Sequence, residues 1–220
     1  MVEIKLPDYE QSAFRNFKEA KGDITLWGED DFEKAKLKIK NFRTCIDIGA
    51  HVGLTSLRYS QHFEHVHSFE PIVFDYAKDN LSNLDNVTLY NAAVSDSCGW
   101  VDMMPNMVNS GASLIATKEN LKTYRNSKRF SAPTISVRSL TIDSLNLKNV
   151  DFIKIDTEGY NMPVLKGMEE TIEKYSPVIQ IELLVGGSNK QMEKFMKNHG
   201  YVEYDKNNGK PIDKFYCKNE

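Results

Sequence analysis

Five apolar runs of strand length, at 44–48, 66–69, 87–90, 150–155 and 178–184, alternate along the chain with segments of helical period. They are rich in Val, Ile, Phe and Tyr, and several are apolar on both faces, as expected for strands covered on each side. The helical patterns fall at 53–62, 73–84 and 164–175, the last with Pro163 where a first helical turn tolerates it. This alternation predicts an α/β fold with a mostly parallel central sheet and helices on both faces. Ligands of such sheets bind beyond the carboxyl ends of the strands, so the residues that follow each run are the first candidates for a site.

With 220 residues, the chain is expected to form one domain over 1–220. Residues 1–42 read as a helical extension with an amphipathic helix at 30–40, and a second flanking helix is expected at 188–199, closed by Gly200. Residues 201–204 and 214–217 read as an antiparallel edge hairpin joined by the turn-rich DKNNGKP. Between 97 and 133 the period is lost. This segment gathers Asn, Ser and Gly, then Lys118, Lys122, Arg125, Lys128 and Arg129, and is expected to be an insertion or substrate loop.

A net charge of −3 offers no global attraction to phosphate backbones or anionic lipid, so neither a nucleic-acid nor a membrane partner is expected. Cys45, Cys98 and Cys217 form no CxxC pair, which argues against zinc and against a disulfide framework and favours a cytoplasmic location. No apolar stretch approaches the ~18 residues of a membrane span. Oligomeric state is not readable from these features.

The segment TCIDIGAHVGLTSL leads from the first strand through Gly49, Ala50, His51, Val52 and Gly53 into a helix. Glycine is needed where a chain reverses tightly or must lie against a ligand. Glu70, followed by Pro71, ends the second strand twenty-one residues beyond Gly49, close to the ~20 expected for an acid that binds ribose hydroxyls. The turn lacks both G-x-G-x-x-G and the GK[ST] of a P-loop, and Asp47 beside it would repel a phosphate. A cationic nucleoside fits better: S-adenosylmethionine, with an ammonium, a sulfonium and no phosphate. Asp47 and the 49–53 backbone suit its aminoacyl part and Glu70 its ribose. After the third strand, Ala92 and Ala93 leave room for adenine, and Asn91 is placed to read its amine.

These blocks, CIDIGAHVG, HSFEP, NAAVSD, SLTIDSL, VDFIKIDTEGYNMPVLKGM and PVIQIEL, make residues 44–184 similar to the FkbM-type family of S-adenosylmethionine-dependent methyltransferases. His51 stands where that family more often carries Asn. The resemblance implies a Rossmann-like class I methyltransferase fold and O-methylation of a hydroxyl on a sugar, glycoconjugate or other small natural product. Methyl transfer to a hydroxyl needs in-line positioning and gains from a nearby base. Asp156, at the end of the fourth strand, is the first candidate, either as base or as holder of the cofactor ammonium. Glu158 is placed to meet the acceptor, and His51 is a base candidate from the glycine turn. No second Asp-Asn ligand pair accompanies Asp156 and Glu158, and no metal is expected. Two rivals share the fold: an inactive cofactor-binding module or regulatory partner, and a nucleic-acid methyltransferase, for which no [DN]PP[YF] segment is present.

Overall fold

The computed structural model describes residues 4–10, 23–124, 126–183, 189–205 and 213–219. Its centre is a seven-stranded sheet ordered β10-β11-β9-β8-β1-β2-β3. The strands are β1 (Thr44–Ile48), β2 (His65–Phe69), β3 (Val87–Tyr90), β8 (Val150–Ile155), β9 (Val178–Glu182), β10 (Tyr201–Glu203) and β11 (Asp213–Lys218). Neighbours from β9 to β3 run parallel, whereas β11 pairs antiparallel with both β9 and β10. The expected hairpin strands are therefore present, while residues 206–211 of the expected turn lie outside the described residues.

Period-two alternation divides the core into two layers. Ile46 and Ile48 of β1, with Ile153 and Ile155 of β8, pack with Val164, Leu165, Met168, Ile172, Met192 and Met196. These last six lie on or between α5 (Asn161–Lys166), α6 (Glu169–Tyr175) and α7 (Lys190–Asn198). On the opposite face, Cys45 and Phe152 meet Phe32, Ala35, Tyr59 and Phe63. That layer is built on α1 (Glu29–Lys36) and α2 (Leu54–Tyr59), with α3 (Phe74–Leu81) beside α2. Asp47 and Lys154 sit opposite one another on β1 and β8, and by the same alternation both belong to the α1/α2 face.

Two expectations change. The single helix read at 164–175 is two helices, interrupted at Gly167 and Met168. A Cβ on Gly167 would lie 1.9 Å from the Ser95 carbonyl oxygen, so the chain passes backbone against backbone there. The second helix is capped from a distance: Asp143 accepts from the N–H groups of Glu170 and Thr171 at 3.1 and 2.9 Å. The region read as aperiodic, in turn, contains β5 (Gly99–Met104), β6 (Leu114–Ile115) and α4 (Lys118–Thr123). With β4 (Ala93–Val94) and β7 (Ile135–Leu140) it forms a second sheet, ordered β4-β7-β5-β6. Among the described residues, no helix is long and apolar enough to cross a membrane.

Candidate active site

The chain leaves β1 toward β2 and β3 on one side, while β8 and β9 flank it on the other, so the crevice beyond β1 and β8 is the switch point of the sheet. A cavity of about 250 Å³ opens there. Its floor is the glycine turn after β1. The Gly49 and Ala50 N–H groups both donate to the Phe69 carbonyl at 3.0 Å, and the Asp156 N–H donates to the Ile48 carbonyl at 2.9 Å. Gly49 has φ +80, and a Cβ on it would lie 1.8 Å from the Asp156 carbonyl oxygen. Its lack of a side chain lets the two cleft loops touch.

The wall after β2 is organised by Glu70, which is 7% exposed. Its Oε2 accepts from the His51 N–H at 3.0 Å, and its Oε1 from those of Ile72 and Val73 at 2.6 and 3.0 Å. Burial nevertheless raises its pKa to about 7, the three N–H bonds opposing the shift and the Asp156 charge adding to it. A carboxylate offers about four acceptor positions, so Glu70 retains room for a ligand hydroxyl while it ties the turns after β1 and β2 together.

On the opposite wall stands a dense acidic group. Lys154, 7% exposed, donates to Asp156 Oδ2 at 2.9 Å and lies 3.8 Å from Asp47 Oδ1. Burial alone would lower the Lys154 pKa, but Asp156 and Asp47 hold it above its ordinary value. For Asp156 burial acts upward, yet the Lys154 ammonium and a hydrogen bond from Glu182 hold its carboxyl below its ordinary value. The Glu182 carboxyl is pushed upward by burial, by that same bond and by the Asp156 charge. Glu158 is raised to about 7 by burial and by Asp156. One oxygen each of Asp156, Glu158 and Glu182 lies within 4.8 Å of the others. Like charges about 4 Å apart repel by about 4 kcal/mol even at an effective dielectric near 20, so this group favours positive charge in the cleft.

The remaining walls come from segments outside the parallel repeat. Trp27 lines the cavity from the N-terminal extension, while Met103, Asn109, Ser110, Gly111, Ser113 and Ile115 line it from the insertion. Asn106 shapes this second wall, accepting from the Val108 and Asn109 N–H groups at 3.0 Å. His51, held at φ +52, bonds Ser110 Oγ through Nε2 at 2.7 Å. Burial lowers the His51 pKa to about 4, which leaves the ring neutral at physiological pH.

A family model, the Methyltransferase FkbM domain, matches residues 47–203, which span the cleft and both of its acidic walls. The chain belongs to the FkbM methyltransferase family. This family takes S-adenosylmethionine as its cofactor. A curated relative, the 2-O-methyltransferase NoeI of Sinorhizobium fredii, is 28% identical over 144 residues, 59% of this chain and 58% of the relative. The match thus spans less than two thirds of that protein. The methyltransferase FkbM of Methylobacillus flagellatus KT superposes with a TM-score of 0.53 at 15% identity, over 80% of this chain and 44% of that one, and shares the fold. A SAM-dependent methyltransferase from Aquifex aeolicus gives a TM-score of 0.49 at 14% identity, over 94% and 97% of the two chains.

Of the residues singled out in this FkbM chain, Gly49, Ala50, His51, Glu70, Pro71, Ala92, Ala93, Asp156 and Glu158 line the cavity. Asp47, Gly53 and Asn91 do not. Asp47 is fully buried under the turn, where Oδ2 accepts from Thr55 and Ser56 hydroxyls at 2.7 and 2.6 Å. Gly53, at φ +90, begins α2, and a Cβ there would meet the Leu81 side chain at 2.9 Å. Asn91 is exposed outside the lining. Lys118, Lys122, Lys128 and Arg129 lie exposed on the insertion, also away from the lining, and Arg125 lies outside the described residues.

Sequence reasoning passed over Trp27 because that residue does not lie after a strand of the main sheet, whereas Ser110, Gly111 and Ser113 of the expected substrate loop do line the cavity. It also passed over Asn161, which accepts from the Thr157 hydroxyl and donates to the Glu182 carbonyl, both at 2.9 Å, clamping the Asp156 loop onto β9. Its place four residues after Thr157 at a helix start was the available signal.

Proposed function

We infer that this chain binds S-adenosylmethionine in the switch-point cleft and directs methyl transfer to a hydroxyl of a small-molecule or glycan acceptor. The observation that carries the reading is the charge of the cleft, where Asp156, Glu158, Glu182 and Glu70 face one ammonium, that of Lys154. A pyrophosphate would be repelled by such walls, whereas a ligand with an ammonium and a sulfonium is attracted. The bound cofactor supplies an electrophilic methyl group on a sulfonium.

The chain's own residues do the rest. Ala92 and Ala93 leave space beside the Glu70 wall, and Glu70 has an acceptor position for a ribose hydroxyl. Asp156, ionised and held by Lys154, is placed to receive an ammonium. Glu158, on the loop after Asp156, is poised as a general base for an acceptor hydroxyl.

 Glu158 is a half-buried loop residue at φ +50, and its pKa of about 7 is what suits it to act as a base. Neutral His51 holds the insertion against the glycine turn through Ser110.

The test is calorimetric titration of the purified chain with S-adenosylmethionine, S-adenosylhomocysteine and NAD, followed by a screen of hydroxylated acceptors. Binding of the two adenosyl ligands and not NAD, with methyl transfer to a hydroxyl that Glu158→Gln slows by ~10²-fold or more, is the expected result. Binding without transfer to any acceptor class would favour a cofactor-binding module, and failure of both adenosyl ligands to bind would remove the reading.

A further inference from the structure

Among the described residues that line the cavity, Lys154 is the one fixed cation; the other charged groups there are Glu70, Asp156, Glu158 and Glu182, and His51 is neutral. A lysine ammonium has three donors. One of them goes to Asp156 Oδ2 at 2.9 Å, while Asp47 Oδ1, 3.8 Å away and without a hydrogen-bond partner, draws the ammonium toward the base of the cleft. Asp47 is itself fully buried and tied through Oδ2 to the Thr55 and Ser56 hydroxyls. The turn after the first strand is where a ligand anion ordinarily finds N–H groups, but here most are spent. Those of Gly49 and Ala50 donate to the Phe69 carbonyl, that of Gly53 to the Ala50 carbonyl and that of His51 to Glu70. Thr55 and Thr157, also in the lining, donate their hydroxyls to Asp47 and Asn161. An anion entering this acidic cleft thus meets charge attraction at Lys154 alone among the lining side chains.

We propose that Lys154 and Asp156 together receive an amino-acid zwitterion, Lys154 taking the aminoacyl carboxylate of the cofactor and Asp156 its ammonium, so that Lys154 selects the intact cofactor over its decarboxylated form. The inference rests on S-adenosylmethionine being the ligand of the cleft. An α-amino acid carries both charges on one carbon and presents them side by side. Lys154 and Asp156, two residues apart at the carboxyl end of β8, turn to one side of the sheet and present the opposite charges side by side, already bonded to one another. Laid against that pair, each ligand charge meets its opposite, and the spare donors of the Lys154 ammonium are available to the carboxylate. Asp47, outside the cavity lining, is a positioning residue that acts only through Lys154: it holds the ammonium at the base of the cleft and does not touch the ligand.

The experiment is calorimetric titration with S-adenosylhomocysteine, its decarboxylated analogue S-adenosyl-3-thiopropylamine, and 5′-methylthioadenosine, which lacks both charged groups. The wild-type chain is expected to bind S-adenosylhomocysteine roughly 10- to 100-fold more tightly than the decarboxylated analogue, the range of a charge-assisted hydrogen bond. The overall charge of so acidic a cleft predicts the reverse order, because the analogue keeps the ammonium and drops the anion. Replacing Lys154 alone would strand the buried Asp47 charge, so the balanced variant Lys154→Met/Asp47→Asn is used. In it the preference is expected to disappear while affinity for 5′-methylthioadenosine is unchanged, and Asp47→Asn alone, which leaves Lys154 in place, is expected to keep the preference. Equal or tighter binding of the decarboxylated analogue by the wild-type chain, which needs no variant to observe, overturns the proposal. So does a preference that survives in the folded double variant, or an equal loss of affinity for all three ligands there, which a merely structural lysine would give. Absence of binding by all three overturns the cofactor assignment and this proposal together, a result distinct from binding without a carboxylate preference.

Discussion

Gly49 and Gly53 look alike in the sequence, as the two glycines of one turn, but a methyl group would meet different obstacles at each. At Gly49 it would strike the Asp156 carbonyl oxygen at 1.8 Å, part of a backbone held in register by β1 and β8. At Gly53 it would meet the Leu81 side chain, with Cγ at 2.9 Å and the methyl carbons at 3.0 and 3.2 Å, which can shift more readily than backbone, although φ +90 carries its own strain. Gly49→Ala is therefore expected to destabilise the chain more than Gly53→Ala, by at least the ~1 to 3 kcal/mol typical of overpacking. Denaturant midpoints of the two variants check this, and the reverse order would show that the cleft loops separate easily. The same contact explains why the glycine turn and the Asp156 loop form one surface.

Among the elements, α6 shows how far a helix can depend on a residue remote in sequence. Asp143 caps it through the N–H groups of Glu170 and Thr171 and also accepts the Thr171 hydroxyl at 2.7 Å. Asp143→Ala is expected to cost about 1 to 2 kcal/mol, lowering Tm by about 2 to 8 °C for a chain of this size. Thermal unfolding followed by circular dichroism measures it, and an unchanged Tm would mean that water caps the helix equally well. The second sheet makes a comparable link in the other direction: it brings Ser110 against His51 and so joins the insertion to the glycine turn.

Across the whole molecule, the buried acids make ligand-free stability sensitive to pH. Glu70 and Glu158 have native pKa values raised to about 7 from 4.5, so between these values the native state binds more protons than the unfolded one and stability falls as pH rises. His51 and His67 are lowered to about 4 from 6.5, so their contribution rises with pH over that lower window and is complete near 6.5. The two trends oppose one another below pH 6.5, and above it the acids act alone. Tm of the ligand-free chain is therefore expected to fall from about pH 6.5 to 8, and saturating S-adenosylmethionine is expected to flatten that decline by neutralising the cleft. A Tm that rises over this range would contradict the protonation of the cleft acids.

Much of the fold was legible in the sequence because a parallel sheet buried on both faces needs continuous apolar runs, and helices packed on it need a helical period. Those local patterns located β1, β2, β3, β8 and β9, the glycine turn and the acids at the strand ends. The break at Gly167, the strands of the insertion and the entry of Trp27 into the cleft were not legible, since each depends on contacts between segments far apart in the chain. Asp47 shows the boundary. Its position before the glycine turn follows from the sequence, but only the β1–β8 register and the hydroxyls of Thr55 and Ser56 decide that it lies buried beneath the cleft rather than within it. Sequence periodicity determined which residues reach the end of the sheet; tertiary packing decided which of them face the ligand, because side-chain direction and burial are properties of the neighbours as much as of the residue itself.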